Sequence, residues 1–221
     1  MTSRGQVSSP TRSSTTRASK HVRRRALVTM YHGAHEGFRS VTGPPLARFA
    51  ARHGYQVVDA AVDSRYNPAW SKLPALRSAL DRYDVALWVD ADVFIADDSR
   101  DPADVLSDRV FLAILTDARY GVCSAVFALR ACASSRQFLD HAWEMRERNF
   151  PDWDQGAIHE LVTRPEYEGG VLALGHDWYG PEGCSPTARI VHGCRQTAPT
   201  VPERVEQLRA RAAQRVARPA L

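Results

Sequence analysis

The 221-residue sequence predicts a single α/β domain. Three observations carry that expectation. Short apolar runs rich in strand formers alternate with segments whose apolar residues recur at helical spacing. Glycine and proline punctuate the boundaries between them. The length suits one core, since roughly 150 residues per domain is usual. The apolar share of 44% and the charged share of 24% are those of an ordinary globular chain.

The first strand is expected over 26–31 (ALVTMY), an apolar run bounded by arginines and by His32-Gly33. Pro44 and Pro45 suit a helix start after Gly43, LARFAARH has helical spacing, and Gly54 can close that helix before the strand YQVVDAAV. A second helix is expected over 69–80. The run 85–89 (VALWV) is too short for a buried helix and reads as a central strand. A short helix over 102–106 and strands over 110–115 and 122–129 follow, then helices over 133–149 and 153–162, with Phe150-Pro151 between them. Residues 165–199 read as irregular and Gly-rich, with the short apolar pieces VLAL and RIVH. Residues 201–221 carry a basic amphipathic helix that packs or caps the domain.

The formal charge of +4 belongs to the N-terminus, because Arg4, Arg12, Arg17, Lys20, Arg23, Arg24 and Arg25 sit there without an acid. Setting those seven aside leaves 22 basic residues against 25 acidic ones, so the body has no nucleic-acid footprint and no nucleic-acid partner is expected. Residues 1–24, rich in Ser, Thr and Arg, are expected to be a disordered basic tail, with 25–200 as the domain. That composition also fits an organellar transit peptide, although it lacks an amphipathic apolar face; the apolar core of a secretory signal is absent too. No run of about 18 apolar residues is present to span a bilayer. Cys123, Cys132, Cys184 and Cys194 form no C-x-x-C pair, so buried free thiols are expected rather than a zinc site or a disulfide framework. These features together fit a bacterial, cytoplasmic enzyme.

The sharpest local signal is VALWVDADVFIAD, residues 85–97, where an apolar strand runs into Asp90-Ala91-Asp92. In extended backbone, residues i and i+2 share a face, so both carboxylates can meet one hard divalent cation beyond the carboxyl end of a strand. Open α/β sheets bind ligands at that edge. By itself the pair is equally a solvated strand end, or the opening of a haloacid-dehalogenase-like phosphohydrolase with Asp90 as nucleophile. A non-catalytic binding module, with an acidic turn and a basic tail that grips an anionic surface, is a third reading.

The wider context of this pair resembles a known family. NPAWSKLPALRSALDRYDVALWVDADVFIAD, residues 67–97, resembles the corresponding stretch of the galactosyl-, xylosyl- and mannosyltransferase family of plant xyloglucan and fungal mannan synthesis, where a Trp-x-Lys element, a helix and an apolar strand lead into Asp-x-Asp. Downstream, GVCSAVFALRACASSRQFLDHAW occupies the place of that family's strand and following helix. DWDQGAIHEL resembles its Asp-Gln-x-Ala element, and VHGCR at 191–195 resembles its His-containing Gly-Cys element. The pieces keep order and approximate spacing over 26–196.

The resemblance implies a GT-A fold, Rossmann-like, with a mixed, mostly parallel central sheet flanked by helices. It also implies a metal-dependent glycosyltransferase that moves a hexosyl or pentosyl group from a nucleotide diphosphate sugar, UDP-linked by family likeness, to an unnamed saccharide, small-molecule or protein acceptor, with retention of configuration. Asp90, Asp92 and His192 would hold Mn²⁺ or Mg²⁺, a donor set that suits Mn²⁺. Thr29, Met30, Tyr31, Lys72, Asp90 and Ala91 would line the donor, with Tyr31 stacking on the base and Lys72 reaching the phosphates. Asp154 and Gln155 would face the reacting sugar. Each residue also has a plainer role available. His192 can be an ordinary loop histidine, Lys72 a surviving surface lysine and Tyr31 strand-end packing, and Gln155 can close a capping box with Asp152. Two departures stand out. The plant and fungal members carry an N-terminal membrane segment that has no counterpart here, so their polysaccharide substrates are not carried over. Where the family has Asn-x-Gly, this chain has Val122-Cys123-Ser124-Ala125.

Overall fold

The computed structural model describes residues 23–116, 121–175, 177–179, 188–193 and 200–216. The strands are β1 (Arg25–Thr29), β2 (Tyr55–Asp59), β3 (Val85–Val89), β4 (Val93–Ile95), β5 (Leu112–Leu115), β6 (Cys123–Arg130), β7 (Val171–Leu174) and β8 (Ile190–His192). The α-helices are α1 (Arg39–His53), α2 (Lys72–Ala79), α3 (Ala133–Glu144), α4 (Asp154–Val162) and α5 (Val201–Val216). Six strands form one sheet in the order β2-β1-β3-β6-β5-β7. All run parallel except β6, which pairs antiparallel with both β3 and β5. This is the mixed, mostly parallel sheet flanked by helices that the sequence led us to expect.

The central strands β3, β5 and β6 are buried almost throughout because both faces of the sheet are covered there, whereas the edge strands β2 and β7 are partly exposed. Period-2 alternation divides β1 between two cores. Ala26 and Val28 join Leu73 and Leu76 of α2, Phe138 of α3 and Ile158 of α4 on one face. Leu27 joins Leu46 and Phe49 of α1 on the other. A smaller third cluster holds Tyr31, Phe38 and Ala91 against Val205 and Leu208 of α5, which lays the C-terminal helix over the end of β3.

Several boundaries differ from expectation for physical reasons. Pro44 and Pro45 lie inside α1, which begins at Arg39, not after Gly43. A 3₁₀ turn over Gly33–Phe38 leads into that helix, and Val41, Thr42, Pro45 and Leu46 are buried, so packing of the first turns outweighs the ladder bonds that two prolines forgo. The expected helix over 69–80 opens with a 3₁₀ turn, Pro68–Ser71, in which Asn67 accepts from the Ala69 amide at 3.0 Å. VLAL and RIVH are strands: β7 pairs with β5, and β8 pairs with β4. Cys123 is a buried free thiol, Cys132 is free but only half-buried, and Cys184 and Cys194 lie outside the described residues, as does the expected tail up to residue 22. No helix among the described residues is long and apolar enough to cross a membrane.

Gly54 ends α1 as expected, at φ 69° and ψ 34°. A β-carbon there would meet nothing within 4 Å, so the cost of Gly54→Ala is conformational alone. We expect about 1–2 kcal/mol of destabilisation, read as a melting point lower by roughly 2–8 °C in calorimetry.

Candidate functional site

β3 is buried along its whole length between a parallel and an antiparallel neighbour, and its carboxyl end delivers Asp90 to the sheet edge. The Asp90 amide donates to the Ala125 carbonyl at 2.8 Å, which holds the turn against β6. From the opposite side, the Thr42 hydroxyl of α1 donates to the Ala91 carbonyl at 2.8 Å. The backbone of the Asp90-Ala91-Asp92 turn is therefore held by both β6 and α1.

His192 lies far away in the chain and reaches this turn through the β4–β8 ribbon. Antiparallel pairing places Val93 opposite His192, and the Gly193 amide donates to the Asp92 carbonyl at 2.8 Å. Ligand atoms of Asp90, Asp92 and His192 all lie within 4.8 Å of one another. Their side chains are 28%, 10% and 28% exposed, so the cluster is shielded yet open to solvent on one side. Two carboxylates and an imidazole at this spacing are a donor set for a divalent ion.

Each acid has its own supports. The Trp88 indole donates to Asp90 Oδ1 at 2.5 Å, and Lys72 Nζ lies 3.3 Å from the same oxygen. Both contacts fall on one oxygen of that carboxylate. Burial pushes the Asp90 pKa up, and the neighbouring Asp92 and Asp154 charges add to this against the pull of Lys72. Asp92 goes the other way. Burial would raise it, but His192 Nε2 at 3.1 Å from Oδ1 and Arg204 Nη1 at 2.6 Å from Oδ2 outweigh burial and hold it below 3.8. The two acids thus separate into one that retains its proton more readily and one that is firmly ionised.

Lys72 is 4% exposed, so the expectation of a lysine reaching phosphates meets a side chain held inside the protein. Its ammonium lies 2.8 Å from Asp154 Oδ2 and donates to the Ser124 carbonyl at 3.0 Å. Burial disfavours its charge, but Asp154 and Asp90 more than reverse this and raise its pKa. Asp154 also accepts from the Ser124 hydroxyl at 2.9 Å, and Gln155 Oε1 accepts from the Ser124 amide at 3.2 Å. Gln155 thus reaches across to β6, and no capping box with Asp152 forms: the N-cap of α4 is Trp153, without a side-chain cap. Trp153 has φ 46° and ψ −118°, and a non-glycine residue held there stores about 1–3 kcal/mol. Gly156 follows because a β-carbon would come 2.8 Å from the Phe150 ring.

The expected donor-lining residues occupy the end of β1. Thr29 is buried at the last strand position, Met30 is half-buried, and Tyr31 is 8% exposed with the Arg39 guanidinium 4.1 Å from its ring centroid. Tyr31 shares a hydrogen bond with Thr42 at 3.1 Å, which ties it to Ala91 indirectly. Sequence reasoning missed Ser124 and Arg204. Ser124 stands where the resembling family has Asn-x-Gly, and its isolated hydroxyl within an apolar strand was the available signal. Arg204 is one arginine among several on α5 and carried none.

No family model matches the chain, and no curated protein matches it in sequence. The fold is that of solved glycosyltransferases. A glycosyltransferase involved in the glycosylation of the major capsid of PBCV-1 superposes with a TM-score of 0.69, at 15% identity, over 85% of this chain and 99% of that one. The bifunctional glycosyltransferase WbbM superposes at 0.54, with 10% identity, over 79% of this chain and 46% of WbbM, so this chain spans about half its length. At such identities the likeness establishes the architecture.

Proposed function

We propose that the chain is a metal-dependent glycosyltransferase that uses a nucleotide diphosphate sugar, UDP-linked, and delivers a hexosyl or pentosyl group to an acceptor with retention of configuration. One observation carries the reading: two carboxylates and an imidazole converge at the carboxyl end of the central strand of a sheet shared with glycosyltransferases. That edge is where open α/β sheets take ligands. The phosphohydrolase reading loses ground, since Asp90 follows the third strand in chain order and the fold is the glycosyltransferase one.

Asp90, Asp92 and His192 would hold Mn²⁺ or Mg²⁺. Bound there, the ion would neutralise charge that grows on the departing diphosphate. Lys72 and Trp88 hold Asp90 by its Oδ1, which would steady that carboxylate for the ion. Thr29, Met30, Tyr31 and Ala91 line the nucleotide side, while Asp154 and Gln155, anchored on Ser124, stand beside the donor sugar. The family of plant xyloglucan and fungal mannan synthesis remains the likeness from which retention and UDP are drawn.

Calorimetry with UDP tests the proposal: binding should require Mn²⁺ or Mg²⁺, and equal binding in chelator would defeat it. The pH dependence adds a second check. Burial lowers the His192 pKa, but the Asp92 carboxylate and the hydrogen bond to it outweigh burial, so the imidazole loses its proton above the ordinary 6.5. Only the neutral ring can ligate. Mn²⁺ affinity should therefore climb by up to about tenfold per pH unit below that raised pKa and level off above it. A flat profile over about pH 6–8 would remove His192 from the ligand set.

A further inference from the structure

Arg204 reaches Asp92 from α5, a helix whose sequence announces only packing. Its side chain is 4% exposed, and Nη1 donates to Asp92 Oδ2 at 2.6 Å while His192 sits on Oδ1. Nη2 faces His35 Nε2 at 3.5 Å, and the guanidinium lies 5.2 Å from the Phe38 ring centroid, so its approach is set on two further sides. Gly193 lies between the two residues: a β-carbon there would be in ordinary contact with Asp92 Cβ at 3.4 Å and Arg204 Cβ at 3.5 Å, so α5 and the acid flank it closely.

We infer that Arg204 is a positioning residue of the metal centre, which fixes the Asp92 carboxylate by one oxygen so that the other faces the ion, and that α5 is thereby part of the site. The inference rests on the metal reading proposed above. A carboxylate with free rotation presents either oxygen and must lose that freedom when it ligates. One held by a charge-assisted bond has already lost it. Partners of this kind behind a ligand typically contribute about 10- to 100-fold in metal affinity.

The test is titration of the full chain with Mn²⁺ alone, followed by the loss of the aqueous Mn²⁺ signal in electron paramagnetic resonance, with near-ultraviolet circular dichroism to check the fold. Arg204→Met should weaken Mn²⁺ binding by about 10- to 100-fold. Arg204→Lys keeps the charge without the planar fork and should fall between it and wild type. Leu208→Ala loosens α5 without touching Asp92 and should bind as wild type does. Wild-type affinity in Arg204→Met, or tighter binding, overturns the inference. So does an equal loss in Leu208→Ala, which would assign the effect to helix packing. If Arg204→Met fails to fold, Arg204→Lys decides: weakened binding supports the inference and unchanged binding overturns it. Wild type that takes no Mn²⁺ overturns the metal reading as well. Binding abolished by Asp92→Asn but untouched by Arg204→Met overturns this inference alone.

Discussion

Asp92→Asn should abolish metal-dependent binding of UDP, with an affinity loss of about 100-fold or more, since removing a ligand costs at least what removing its support does. The variant also leaves Arg204 buried beside a neutral amide. Breaking a buried ion pair from one side costs about 3–5 kcal/mol, so the melting point should fall even without metal. The two effects separate in one thermal-shift experiment. Wild type gains stability when Mn²⁺ and UDP are added together, whereas the variant melts at the same lowered temperature with or without them. A ligand-induced shift of wild-type size in the variant would remove Asp92 from the site. Acid gives an independent test. The Asp92 pKa is depressed in the folded protein, so its stabilisation is present above the ordinary value of 3.8 and is lost as pH falls through the lower folded value. Metal-free wild type should lose that contribution in this acid range, and Asp92→Asn should not.

Lys72→Met should be the most destabilising single change at the site. It strands Asp154, 5% exposed, and Asp90 without the ammonium that serves both. Leaving buried carboxylates unpaired costs about 3–5 kcal/mol, or roughly 6–20 °C in a domain of this size. The double variant Lys72→Met/Asp154→Asn should recover part of the loss, because one of the two stranded charges is gone. Chemical denaturation of the single and double variants reads the coupling directly. Additive losses would show that Lys72 and Asp154 do not act as a pair, against the 2.8 Å contact between them.

The sheet was legible because a strand buried on both faces must be apolar throughout. VALWV at 85–89 announced itself and matches β3 at both ends. Asp90 and Asp92 were legible for the same reason, as charges placed abruptly after an apolar run. Boundaries were less legible where packing overrides local preference. Pro44 and Pro45 suit a helix start, yet here they lie within α1, whose first turn is anchored by the buried Val41 and Thr42. Gln155 made a serviceable capping residue on paper, and its amide instead meets Ser124, a partner 31 positions away in the chain.

The sequence by itself determined the α/β class, the central strand and the acidic pair at its tip, since these follow from local periodicity and from where charge interrupts an apolar run. It also singled out Lys72 and His192, though not what they touch. Only the tertiary structure decided that Lys72 is shared between Asp90 and Asp154, that the β4–β8 ribbon carries His192 to Asp92, and that Arg204 closes the far side of that carboxylate. The reason is physical. A contact across 100 residues leaves no periodicity in the chain, and one arginine on a basic helix looks like its neighbours until folding buries it against an acid.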